Sequence, residues 1–110
     1  MPVDVSDEKS AIAMADAVAA KWGRIDTLIA NAAIYYDIDN ANHSFEYLKK
    51  IFAVNYFGSW LSCRAVYPHM KRQGKGSIIT QSSDAAYTTF YVPHEDQLPS
   101  FHYSVTKAAI

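Results

Sequence analysis

The chain has 110 residues with 50% hydrophobic and 19% charged side chains, which fits one modest globular domain and excludes an intrinsically disordered tail. A net charge of -1 supplies no basic field, so nucleic acid and anionic membrane surfaces are not expected partners. Cys63 is the only cysteine, which excludes an internal disulfide and any multi-thiolate metal site and fits a cytoplasmic location.

Val3-Asp4-Val5 reads as the tail of a strand, followed by Ser6-Asp7-Glu8 as a helix start with acidic residues over the first turn. Ile12, Ala15, Val18, Ala19 and Trp22 recur at helical spacing and predict the buried face of that helix, with Gly23 as its left-handed cap. Ile25 to Ala30 is a short apolar run that predicts a buried strand. Residues 35–43 are rich in Asn and Asp and read as a loop leading to Ser44, the next cap.

From Phe45 to about Gln73 apolar residues return at helical spacing, as two helices or one bent one, with Pro68 expected to bend or tighten the last turns. Gly74-Lys75-Gly76 ends the stretch, and Ser77 to Ser82 predicts another strand. Residues 84–99 carry Pro93, Pro99 and several aromatics without a period and read as a long loop, before Ser100 or Phe101 opens a final helix. No 18-residue apolar run that would span a membrane is present, and the N-terminus lacks the pattern of a secretion signal.

Strand and helix alternate, which predicts an α/β fold with a mainly parallel sheet. Ligands of such sheets bind beyond the carboxyl ends of the strands, where Asp4, Asn31 and Ser83 fall. Tyr103 and Lys107 stand four positions apart, on one face of the last predicted helix. Free tyrosine has a pKa of about 10, and a neighbouring ammonium favours the phenolate, so such a pair serves proton exchange with an alcohol or carbonyl oxygen. Taken alone, the pair also arises by chance in many helices.

The motifs together resemble the short-chain dehydrogenase/reductase family. Tyr103-Ser-Val-Thr-Lys107-Ala-Ala is similar to its Tyr-x-x-x-Lys signature, Ser82-Ser83 to the end of its serine strand, and Ala30-Asn31-Ala32-Ala33 to its Asn-Asn-Ala-Gly turn. Val54-Asn55 with Gly58 resembles its helix asparagine, and Val3-Asp4-Val5 its adenine-side Asp-Val.

The resemblance implies a partial Rossmann-like, doubly wound parallel sheet with flanking helices in three α/β/α layers, the whole of residues 1–110 forming an incomplete NAD(P)-binding domain. It implies hydride transfer between NAD or NADP, without choosing between them, and a secondary alcohol or ketone. Tyr103 would be the general acid/base and Lys107 would lower its pKa and bind the nicotinamide ribose. Ser83, rather than Ser82, would hold the substrate oxygen. Asn55 would hold a water that links Lys107 to solvent. Asp4 and the Val5 backbone would receive the adenine, and Asn31 with Ala32 would lie against the adenosine ribose.

Simpler roles compete with each of these. Asn55 caps or bends its helix, Asp4 caps the helix after Ser6, and Ser82 and Ser83 satisfy backbone groups at a strand end. His43, His69, His94 and His102 have no metal-ligand spacing and read as surface or loop residues, so no metal is expected. A homodimer or homotetramer is the expected assembly of the parent.

Three departures from the family pattern qualify the reading, one being that the family's later strands and substrate-covering segment are expected beyond Ile110. The four glycines (Gly23, Gly58, Gly74, Gly76) make no pyrophosphate-binding turn. The chain is therefore expected to be an internal piece, and the alternative reading is a catalytically inactive fragment or a subunit-interaction module. Ser83 and Tyr103 are also twenty positions apart, longer than usual, so the intervening loop reads either as an insertion whose Tyr87, Phe90, Tyr91, Phe101 and His102 line an apolar substrate pocket, or as an ordinary surface loop. Asp84 stands where a small residue is expected.

Overall fold

The computed structural model describes residues 1–35, 44–88 and 102–110. Helix α1 spans Glu8–Trp22 and strand β1 Thr27–Ala30; helix α2, Phe45–Phe52, passes through a π-helical turn at Ala53–Phe57 into helix α3, Gly58–Gln73. Strand β2, Ser77–Thr80, a single 3-10 turn at Asp84–Ala86 and helix α4, His102–Ala108, complete the described elements.

The predicted punctuation holds. Asp7 caps α1 by accepting from the Lys9 N–H, Ser44 caps α2 by accepting from the Tyr47 N–H, and Gly23 and Gly74 close α1 and α3 with φ of 74° and 72°. The long apolar stretch is broken at Ala53–Phe57, while α3 runs on through Pro68 to Gln73. The loop predicted over residues 35–43 and most of that over 84–99 lie outside the described residues.

Strands β1 and β2 pair in parallel with Leu28 opposite Ile78 and Ile29 opposite Ile79, joined by the α2–α3 crossover that parallel strands require. The α/β class with a parallel sheet is thus the observed one. The described residues supply the sheet and the helices on the Leu28 side; Ile29 and Ile79, on the opposite face, are 64% and 50% exposed. Val3 to Val5, expected as a strand tail, has no ladder partner among the described residues. Val5 instead lies against the start of α3.

The core gathers Ala11 and Ala15 of α1, Ile25, and Ala65, Val66 and Met70 of α3, with Leu28 and Leu61 packed on it. The expected inward face of α1 is met in part: Ala15 is buried and Ala19 packs on the core as expected, but Ala11 joins them while Ile12, Val18 and Trp22 are exposed. Small alanines let the two helix backbones approach closely, so the seam follows them rather than the larger apolar residues. Glu8 pairs with Arg64 at 2.8 Å across the same seam, an exposed contact that adds little stability, and the largely buried His69 ring meets exposed Asp16 at 2.9 Å.

Two side-chain amides, one from the π-helical turn within the crossover and one from its C-terminal end, hold the chain on either side of β1. Before the strand, Gln73 accepts from the Ile25 N–H and donates to the Ile25 carbonyl, each at 2.8 Å. Beyond it, Asn55 accepts from the Ile34 N–H at 2.8 Å and donates to the Ile34 carbonyl at 3.1 Å. Each amide reproduces the donor and acceptor pair of a neighbouring strand, and so satisfies backbone groups that a short strand leaves unpaired.

Gly58 opens α3 where Val5 passes over it. A Cβ built there would lie 2.7 Å from Val5 Cγ2 and 3.2 Å from Val5 Cβ, on a branched side chain with little rotamer freedom. Gly58→Ala therefore sets a helix-propensity gain of about 1 kcal/mol against overpacking of about 1–3 kcal/mol. We expect net destabilisation in denaturant unfolding, reversed when Val5→Ala is added. Stabilisation by Gly58→Ala alone would contradict this packing.

Candidate active site

The carboxyl ends of the two strands, the π-helical turn and α4 meet at one corner of the sheet. Asn55 occupies the middle of the π-helical turn, is fully buried, and uses both amide hydrogens: one goes to Ile34, the other to Thr106 Oγ1 at 3.2 Å. Its main-chain carbonyl accepts from Ser59 Oγ at 3.0 Å. The extra residue of the π turn presents this side chain to the interior, an irregularity often found where helices carry function. A water-holding role for Asn55 would fall mainly to its carbonyl, because the amide is committed to protein groups.

Thr106 is also fully buried and donates to the Tyr103 carbonyl at 2.7 Å. A continuous chain of hydrogen bonds thus runs from the Ile34 backbone through Asn55 and Thr106 to the backbone of Tyr103. Tyr103 itself is half-buried, and the Tyr35 ring meets its ring edge-on with centroids 4.4 Å apart. Lys107, one turn on, carries its ammonium 5.8 Å from the Tyr103 ring centroid, as expected for two residues on one helix face.

Lys107 is held at both ends. Its ammonium donates to the Gln81 carbonyl at 2.7 Å, and its own carbonyl accepts from Ser82 Oγ at 2.6 Å. Only 3% of the residue is exposed, and burial lowers the pKa of the ammonium from the ordinary lysine value. Among the described residues Gln81 is the one acceptor of the ammonium, which carries two further N–H donors.

The two serines differ in their engagement. Ser82 ties the end of β2 to α4, whereas Ser83 opens the 3-10 turn, its Oγ accepting from the Ala85 N–H at 3.2 Å and donating to Asp84 Oδ1 at 3.0 Å. That turn packs on α4.

Asp4 accepts from the Ser6 hydroxyl at 2.7 Å and from the Ser6 N–H at 2.9 Å, bonds that lower its pKa. Asp7, not Asp4, caps α1. Asn31 and Ala32 are exposed directly after β1.

Sequence reasoning missed Thr106, Tyr35 and the clamp made by Ser82. The signal for Thr106 was a threonine inside a helix, a residue that bonds back to a carbonyl one turn earlier. His102 corrects the expectation of a surface histidine: it is buried, its ring edge-on to Tyr47 at 5.6 Å, because α4 lies against α2. Of the proposed aromatic pocket, Tyr87 is 89% exposed and His102 faces Tyr47, while Phe90, Tyr91 and Phe101 lie outside the described residues. Among the described residues no cluster of His, Cys, Asp or Glu could hold a metal ion, and no helix is long and apolar enough to cross a membrane.

A short chain dehydrogenase family model matches residues 1–110, and the chain belongs to that family. An uncharacterized oxidoreductase of Mycobacterium tuberculosis is 46% identical over 96 residues, covering 83% of this chain and 39% of that protein. D-threitol dehydrogenase of Mycolicibacterium smegmatis is 39% identical over 83 residues, covering 76% and 32%. Among solved structures, ElxO with NADP bound is similar over 97% of this chain and 41% of that one, with TM-score 0.81 and 26% identity. A short-chain dehydrogenase from Streptomyces avermitilis covers 99% and 38%, with TM-score 0.74 and 28% identity. The chain therefore spans well under half the length of these relatives.

Replacing Asn55 by Asp would set a carboxylate oxygen against the Ile34 carbonyl and Thr106 Oγ1, where the amide N–H now donates. Burial and lone-pair repulsion would raise the folded-state pKa of that carboxyl above its unfolded value of about 3.9. The native state then binds more protons, so stability falls as pH rises through that window. We expect the destabilisation by Asn55→Asp, measured by urea unfolding against wild type, to be larger at pH 8 than at pH 5. A pH-independent difference would contradict the bonding assigned to the amide.

Proposed function

We propose that the protein to which these residues belong is an NAD- or NADP-dependent oxidoreductase that interconverts a secondary alcohol and a ketone. The observation that carries this reading is the joint placement of Tyr103 and Lys107 on one face of α4, with Lys107 anchored to the end of β2 beside Ser83. Family membership and the resemblance to ElxO with NADP bound support a nicotinamide cofactor.

The residues fit such a group. The two remaining N–H donors of Lys107 suit ribose hydroxyls, exposed Asn31 and Ala32 lie beyond β1 where an adenosine ribose would rest, and Asp4 with the Val5 backbone would meet the adenine. A bound nicotinamide supplies the hydride chemistry. Tyr103 gives a proton to the carbonyl oxygen in reduction and removes one from the hydroxyl in oxidation.

Ser83 holds the substrate oxygen once its hydroxyl hydrogen turns from Asp84 towards it. Asn55 acts through its main-chain carbonyl on the water that connects Lys107 with solvent. The protein works in the cytoplasm on a small molecule, as a dimer or tetramer.

The 110 residues taken alone are a catalytically inactive piece. They contain no glycine-rich turn for a pyrophosphate, and the sheet face bearing Ile29 and Ile79 is open, a surface that favours association over nucleotide binding. Calorimetric titration of this polypeptide with NAD(H) and NADP(H) is expected to give no micromolar binding; such binding would refute its inactivity.

In an enzyme of the relatives' length that carries these residues, Tyr103→Phe should abolish measurable turnover while nucleotide affinity stays within about twofold, the pattern of a lost proton donor. Ser83→Ala should lower kcat by about 10²–10³, as loss of one positioned donor does, and Ser82→Ala by much less. Turnover retained by Tyr103→Phe would remove the tyrosine mechanism. A larger loss at Ser82 than at Ser83 would exchange the roles of the two serines.

A further inference from the structure

We infer that Thr106 is a positioning residue for the reaction proposed above, setting the backbone of Tyr103 through the buried Asn55 amide. The inference rests on that reading of Tyr103 and extends it to a side chain that touches neither substrate nor cofactor.

Thr106 has no exposed surface, and both polar capacities of its hydroxyl are used in opposite directions. It accepts from Asn55 Nδ2 at 3.2 Å and donates to the Tyr103 carbonyl at 2.7 Å. A threonine that bonds only within its own helix needs no outside donor; here the donor comes from a different helix, fifty-one positions away in the chain. Donation by the amide polarises the hydroxyl and strengthens its bond to the carbonyl.

The same amide holds Ile34, and Ile34 carries Tyr35, whose ring lies edge-on to Tyr103. One buried group therefore governs two constraints on Tyr103: its main chain, through Thr106, and the neighbour of its ring, through Ile34. A general acid/base works only within a narrow range of distance to the oxygen it serves, so loss of one constraint acts on the chemical step. Lys107 is fixed separately by Gln81 and Ser82, so ribose binding does not depend on Thr106.

The test compares Thr106→Val, which keeps the branched shape without the hydroxyl, and Thr106→Ser, which keeps the hydroxyl, in an enzyme of the relatives' length, with Tyr103→Phe alongside. Nucleotide affinity, kcat for an alcohol substrate and the folded fraction by circular dichroism are measured for each. Thr106→Val is expected to lose about tenfold or more in kcat at unchanged nucleotide affinity and folded fraction, with Thr106→Ser within about twofold of wild type.

The inference is overturned if Thr106→Val keeps wild-type kcat, if its loss matches a lost folded fraction, or if Thr106→Ser is equally impaired. A wild-type Thr106→Val beside an inactive Tyr103→Phe sinks the positioning role alone. An active Tyr103→Phe sinks the tyrosine reading and this inference together.

Discussion

The arrangement depends on a buried amide that behaves as a piece of backbone. Asn55 meets both the N–H and the carbonyl of Ile34 and still has one hydrogen for Thr106, so three chain segments far apart in sequence are joined at one point. Leaving such groups unpaired inside a protein costs about 1–3 kcal/mol each, more than the net gain from a typical hydrogen bond. That asymmetry makes the junction a constraint: the strand end, the π-helical turn and α4 move together or not at all. Gln73 repeats the device at Ile25, and β1 is thereby fixed on both sides to α3 and the π-helical turn that precedes it.

Function follows from what the junction holds. A four-strand-residue pairing such as β1 with β2 is short, and parallel pairing is slightly weaker than antiparallel pairing. Clamps from side chains stiffen it at the end where a ligand would bind. Lys107 reaches across to Gln81 while Ser82 reaches back to Lys107, so the helix carrying the tyrosine is locked to the segment after β2 that carries Ser82 and Ser83. Burial of the ammonium lowers its pKa, yet the Gln81 carbonyl gives it one fixed acceptor and a defined direction.

Much of this was legible in the residues, and the limits have physical causes. Caps announce themselves locally: Ser44, Gly23 and Gly74 each act through their own or adjacent backbone groups, and each was read correctly. The Tyr103–Lys107 spacing is likewise local, since helical periodicity alone brings the pair to one face. The orientation of α1 was not local. Whether Ile12 or Ala11 faces inward depends on how closely α3 approaches, and period alone favoured the larger side chains. Thr106 and His102 were missed for the same reason: their partners, Asn55 and Tyr47, lie over fifty positions away in the chain. The preference for Ser83 over Ser82 came from the family resemblance rather than from local chemistry, and the observed bonds give the two serines different partners.

A double-mutant cycle between Asn55 and Thr106 addresses the junction most directly. Asn55→Ala, Thr106→Val and the pair together would be compared by denaturant unfolding in an enzyme of the relatives' length. A shared buried network predicts non-additivity of about 0.5–3 kcal/mol, because the second change removes a bond the first has already broken. Additivity to within about 0.3 kcal/mol would show the two side chains to be energetically independent and would contradict the account.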